Sequence, residues 1–136
     1  MINKKNLREL HLIVCGCWWS MMESGEKTDE YRDLTPYWIR RFCNTRKEIP
    51  YVYCILERCC RECFDENRKE YCIYPFDVVV FHRGYTNITM TFEIKDIVIG
   101  RGREGWGADP NKDQFIIKLG KKINQTKIIK RLTVGL

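Results

Sequence analysis

The sequence predicts an α+β fold: a small β-barrel with flanking helices and a cysteine-rich helical insertion. Three observations carry that expectation. Short apolar or alternating runs recur at Leu10–Cys15, Phe76–His82, Thr89–Lys95 and Gln114–Leu119, and strands this short are suited to closing on one another. Thr35-Pro36 is a strong helix start, a hydroxyl cap followed by proline where no amide hydrogen is required. Between about 49 and 74 the patterning gives way to a segment rich in cysteine, tyrosine and charge.

Each element follows from local chemistry. Leu10 to Cys15 is short and apolar, as a buried strand should be. Trp18 to Ser24 carries Trp18, Met21 and Met22 at helical spacing and stops at Gly25. Those side chains are expected to pack on the core; base stacking by Trp18 or Trp19 is the functional alternative. From Thr28 to Arg32 an extended chain places Thr28, Glu30 and Arg32 on one face. The helix opened by Thr35-Pro36 is expected to reach about Asn44, with Arg40, Arg41 and Arg46 near its negative end. The insertion is expected to hold a helix around Cys54 to Arg68.

Further on, Asp77–Phe81 reads as a strand and Arg83-Gly84-Tyr85 as the turn after it. Met90, Phe92 and Ile94 alternate with Thr89, Thr91, Glu93 and Lys95, the pattern of a half-buried strand. Ile97, Val98 and Ile99 continue it after a phase shift at Asp96, which a bulge would produce. Gln114–Leu119 and Thr126–Leu132 read as two further strands separated by a basic turn, Gly120-Lys121-Lys122.

A chain of 136 residues is read as one domain, 1–136, with the insertion inside it. Its formal charge of +6 favours encounter with polyanions and says nothing about fold. Lys4, Lys5 and Arg8 before an apolar stretch resemble an export signal, with Gly16-Cys17 in the place of a lipoprotein cleavage site. Glu9 and His11 interrupt that stretch, and cleavage would remove the first strand. The expectation is therefore a cytoplasmic protein with no membrane partner, since no run approaches the roughly 20 apolar residues a bilayer requires. The eight cysteines are then reduced thiols by default. Cys60-Arg61-Glu62-Cys63 has metal-ligand spacing, and Cys54, Cys59 and Cys72 are near enough to complete a zinc set. A second well-spaced pair is missing, so inert thiols are preferred and no cofactor is expected.

The chemistry concentrates in Gly25-x-Lys27-x-x-Glu30-x-Arg32. Gly25 permits the tight turn that brings Lys27 to a strand mouth, and Glu30 and Arg32 share a face. An arginine fork suits phosphate or carboxylate, and a neighbouring glutamate accepts hydrogen bonds from a base or amide. A desolvated lysine is a phosphate ligand or a general base. The bland reading is a solvated charge trio on an edge strand.

This spacing resembles the signature of the ASCH family, small domains related to the RNA-binding PUA fold. The resemblance extends over Ser24–Trp38, Asp77–Tyr85, Glu104-Gly105-Trp106-Gly107-Ala108 and Phe115–Gly120, segments spread along the chain outside the insertion. It is nearest to phage and gut-bacterial ASCH proteins. It implies a PUA-like barrel with a cleft beside the signature, and members are associated with RNA binding, ribonuclease activity and deacetylation of acetylcytidine. The amidohydrolase branch resembles the chain at Gly25, Lys27, Thr28, Arg32 and Asp33. Its catalytic lysine falls on Lys27, its catalytic glutamate is assigned to Glu93, and its catalytic threonine falls where this chain has Glu30. A carboxylate cannot replace a hydroxyl nucleophile without a change of mechanism.

Gly100-x-Gly102-x-x-Gly105 matches a dinucleotide fingerprint in letters, but Trp106-Gly107-Ala108-Asp109-Pro110 follows it, a loop rather than the required helix. That loop is read either as a flexible presenter of Arg101, Arg103 and Trp106 at the cleft or as a long connection plugged by Trp106. His82 closes a strand beside Arg83 and Tyr85, a position open to a structural or a ligand-facing role. The combined expectation is a domain binding RNA or a nucleotide-like ligand. Lys27, Glu30 and Arg32 form its floor, Arg83, Tyr85 and Trp106 its rim, with Arg101 and Arg103 alongside. The alternatives are a hydrolase using Lys27, Glu30 and Glu93, and a protein-interaction module built on the insertion.

Overall fold

The structure, a computed structural model, describes residues 7–43 and 73–123. β1 (Glu9–Val14) buries Leu10, Leu12 and Val14 and exposes the residues between, the two-residue period of a half-buried strand. α1 (Gly16–Glu23) follows and turns Trp19 and Met22 into the core. Trp18 is half-buried and packs against the core as expected, Met21 is half-buried, and the fully buried residues of the helix are Trp19 and Met22. Gly25 ends the helix with φ +86, donating its N–H to the Met22 carbonyl, a left-handed cap that favours glycine. β2 (Asp29–Asp33) then leads to α2 (Pro36–Phe42), where the Thr35 hydroxyl accepts the Trp38 N–H and Pro36 stands in the first turn.

β3 (Val78–Arg83), β4 (Thr89–Gly100) and β5 (Gln114–Ile123) complete a five-stranded sheet of order β1-β3-β4-β5-β2. β1 and β3 are parallel; the other neighbours are antiparallel. The sheet curls into a half-barrel, and the two short helices pack with it, so the described fold is α+β. Leu10, Leu12, Val79, Phe81, Met90, Phe92, Phe115 and Ile117 meet Trp19, Met22, Ile39 and Phe42 in one core. Tyr31, Ala108 and Ile116 form a smaller cluster with Val98 and Trp106 on the other face.

The phase shift in β4 is real, and it has a counterpart in β5. Asp96 pairs with Lys118 but Ile94 with Leu119, so β4 carries an extra residue there. Ile94 pairs with Leu119 but Phe92 with Lys122, so the next extra residue lies on β5. The first bulge sits at Lys95, one residue before the expected place. It moves the inward positions from Met90 and Phe92 to Ile97 and Ile99. The second corrects the expected basic turn: Gly120-Lys121-Lys122 lies inside β5 and the strand continues to Ile123. The approach is close there: a Cβ on Gly120 would stand 3.3 Å from Cβ and O of Glu93, so a side chain would require Glu93 to give by a few tenths of an ångström.

The expected helix of the cysteine-rich insertion, its zinc set Cys54, Cys60, Cys63 and Cys72, and the expected strand Thr126–Leu132 lie outside the described residues. Among the described residues no helix is long and apolar enough to cross a membrane.

Two carboxylates anchor the sheet. Arg8 grips Asp77 through its backbone N–H and its guanidinium at 2.9–3.0 Å, and Asp33 accepts from Gln114 Nε2 at 2.8 Å and pairs with Lys112 at 3.1 Å. The Arg8 bonds hold the Asp77 carboxyl below its ordinary 3.8, and the Gln114 bond does the same for Asp33. A carboxyl depressed in the native state stabilises it above the unfolded value, and that stability is lost as pH falls through the native one. Acid titration followed by circular dichroism is expected to show this loss below about pH 4. Asp33→Asn should flatten the acid limb slightly, by at most about 1 kcal/mol for so exposed a group. An unchanged limb in both Asp33→Asn and Asp77→Asn would count against these anchors.

Candidate functional site

The left-handed cap at Gly25 sets the direction in which the chain leaves α1, and the Lys27 N–H is held by the Met21 carbonyl at 3.0 Å. The Lys27 side chain is thereby turned fully inward, with no exposed surface. Its Nζ meets Glu30 Oε1 at 3.1 Å, donates to the Trp106 carbonyl, and lies 5.2 Å and 4.8 Å from the ring centroids of Trp18 and Tyr31. Burial pushes the lysine below its ordinary pKa of 10.5, and the Glu30 charge opposes that shift.

Glu30 is the hinge of the arrangement. Its Oε1 also accepts the Tyr31 N–H at 3.2 Å, and its Oε2 accepts Arg32 Nη1 at 2.9 Å. One buried carboxylate thus sits between two cations, leaving a net positive charge. Arg32 Nη1 further donates to the Tyr31 carbonyl, and its Nη2 crosses to the Ile13 carbonyl at 3.0 Å. That last bond joins the two end strands of the sheet, β2 and β1. Arg41 of α2 reaches the same strand one pleat away, donating to the His11 carbonyl at 2.8 Å and tying the helix to β1. Among the described residues the outer edge of β1 is therefore satisfied by guanidinium groups where a closed barrel would supply another strand.

Between these edges opens a cleft of about 800 Å³. Aromatic walls come from Trp18, Tyr31, Tyr37, Trp38, Tyr85 and Trp106, and polar groups from His11, Glu30, Arg32, Arg41 and His82. Trp38 is flanked by guanidinium groups, with Arg32 Cζ 5.1 Å and Arg41 Cζ 5.3 Å from its ring centroid. Tyr85 is 97% exposed and Tyr37 58%, so both rings are open to a stacking partner. On the sheet beside them, His11 Nδ1 lies 2.8 Å from His82 Nε2, and His11 Nε2 lies 3.0 Å from Glu9.

The anticipated residues divide by position. Glu30, Arg32, Tyr85 and Trp106 line the cleft, whereas Lys27 lies behind its wall, covered by Trp18, Tyr31 and the Trp106 backbone. Arg83 is exposed next to two lining residues, His82 and Gly84. Glu93 is on β4 opposite Val78 and does not line the cleft. Arg101 is turned to Asp113 at 2.9 Å and to the Pro110 carbonyl at 3.0 Å, and Arg103 lies over the Trp106 ring at 4.5 Å; neither lines the cleft. The loop itself is tied down, since the Arg103 N–H donates to the Tyr31 hydroxyl at 3.0 Å and the Asp109 N–H to Gln114 at 2.9 Å. Tyr37, Trp38 and Arg41 also line the cleft, beyond the residues expected there. The i,i+4 spacing of Tyr37 and Arg41 on a capped helix is the signal that pointed to them.

Compared with family models, with curated proteins and with solved structures, the chain matches none.

Proposed function

We propose that this protein binds RNA or a nucleotide-like ligand in the cleft between β1 and β2, as an ASCH-like member of the PUA-type folds. The observation that supports the reading most is the company of the open rings of Tyr37 and Tyr85 with Trp38 and the guanidinium groups of Arg32 and Arg41 that flank it. Unpaired bases stack on such rings, and arginine meets phosphate through paired N–H donors. Arg32 already spends three bonds on Glu30 and two carbonyls, so its role is to hold the floor rigid. The exposed Arg83 is the group left to meet phosphate, with Arg41 through the N–H groups it does not spend on His11 and Tyr37. Glu30 offers an acceptor to a base amino group.

The test is binding of short single-stranded RNAs, nucleosides and modified nucleosides, read by thermal shift and by fluorescence titration over a range of salt. Affinity for RNA is expected to fall with salt, and Tyr37→Ala or Arg41→Ala to weaken it by roughly tenfold. Binding that ignores both salt and these substitutions would refute the assignment.

Hydrolysis of RNA or of a modified nucleoside is the second reading, favoured by the burial that lowers the Lys27 pKa. Release of acetate from acetylcytidine, or cleavage of single-stranded RNA, would support it if the rate vanished in a folded Glu30→Gln variant.

A further inference from the structure

Cys15, which lines the cleft, and Cys17 are both exposed, and neither is in a disulfide. Their neighbours Val14 and Trp19 supply the core contacts of this corner, so packing does not explain the two sulfurs. The Sγ atoms lie 3.0 Å apart. Cys15 occupies the N-cap position of α1 in extended conformation and lines the cleft beside Trp18. Between the two cysteines, Gly16 keeps its Cα open to the Arg83 guanidinium, whose Nη2 is 4.0 Å from where a Cβ would stand.

We propose that Cys15 and Cys17 form a redox-active dithiol that closes to a disulfide by exchange with a low-molecular-weight disulfide. Cys15 is the attacking thiol. The Trp18 amide and then the Cys17 thiol hold it below the ordinary 9.0, while the hydrogen bond to Cys15 raises Cys17. The Cys15 thiolate attacks one sulfur of the external disulfide, a mixed disulfide forms, and the other sulfur leaves as a thiolate. Cys17 then loses its proton to solvent and attacks Cys15 Sγ, and the second external thiolate departs. Two protein thiols are oxidised and one external disulfide is reduced to two thiols. A ring closed across a single residue is small, and strained disulfides are the readily reversed ones. The site is independent of the ligand reading, although it shares the cleft wall.

The experiment exposes the reduced full chain to glutathione disulfide, alkylates the remaining thiols and maps the peptides by mass spectrometry. The peptide containing both cysteines is expected to lose two hydrogens, resist alkylation, and regain both thiols in excess reduced glutathione. Cys17→Ser should retain one glutathionyl group on Cys15. Cys15→Ser should be glutathionylated at Cys17 roughly tenfold more slowly. Circular dichroism checks the fold of each variant, and the mapping of the native chain stands without them. A native peptide that stays open to alkylation, keeps a glutathionyl group, or pairs with another cysteine of the chain would overturn the proposal.

Discussion

Replacing Lys27 with alanine is expected to destabilise the fold by about 3–5 kcal/mol, the cost of breaking a buried ion pair from one side. The argument rests on what the ammonium leaves behind. Glu30 keeps Arg32 and the Tyr31 N–H but loses a charge 3.1 Å from Oε1, and the Trp106 carbonyl loses its donor. The stem also leaves a cavity against Trp18 and Tyr31, with its own cost. Lys27→Met restores most of that volume without the charge, so the difference between the two variants separates cavity from electrostatics. Lys27→Met together with Glu30→Gln should cost less than the sum of the single changes, because the neutral amide no longer demands a counter-ion. Urea unfolding of the full chain gives all four values. A loss under about 1 kcal/mol for Lys27→Ala would mean that the ammonium finds water and that the buried pair is unimportant.

This expectation changes how the cleft should be probed. A loss of that size consumes a large share of the 5–15 kcal/mol typical of a whole domain. Failure of Lys27→Ala to bind a ligand therefore reports on folding as much as on contact. Among the described residues Tyr37 and Arg41 belong to no buried ion pair, and Tyr37, which is exposed and holds no strand edge, gives the cleaner answer.

What was legible in the sequence was local. The cap at Thr35-Pro36, the left-handed glycine at position 25 and the alternation in β1 each depend on a few consecutive residues, and each is present. The pairing of Glu30 with Arg32 followed from the two-residue period of a strand. The rest depended on partners distant in the chain. Arg41 meets His11 across 30 positions and Arg32 meets Ile13 across 19, so nothing local shows that these arginines seal a strand edge. Lys27 looked like a cleft lysine because its spacing fits one, yet Trp106, 79 positions away, closes over it. Gly120-Lys121-Lys122 has the composition of a turn, and its place inside β5 shows only in the pairing with β4.

Gly102 and Gly105 appear equivalent in the fingerprint-like run, and the structure predicts opposite outcomes for them. A Cβ on Gly102 would stand 2.3 Å and 2.8 Å from ring atoms of Tyr31 and 2.6 Å from Cβ of Ala108, all inside contact distance. Tyr31 and Ala108 are both buried, and the Tyr31 hydroxyl is fixed by the Arg103 N–H, so neither can simply swing aside. Gly102→Ala is expected to cost about 1–3 kcal/mol, the range for overpacking a filled site. Nothing lies within 4 Å of the corresponding position on Gly105, so Gly105→Ala should stay within about 0.5 kcal/mol. The loop reaches the cleft through Trp106, whose carbonyl also receives Lys27, so displacing Tyr31 disturbs the wall and the ion pair together. A glycine used for phosphate approach would instead spare stability and lose only binding. Urea unfolding of both variants, with ligand titration on whatever remains folded, distinguishes these cases. Equal and small losses at the two positions would mean that the loop yields, and would remove the fixed Trp106 wall from the account of the cleft.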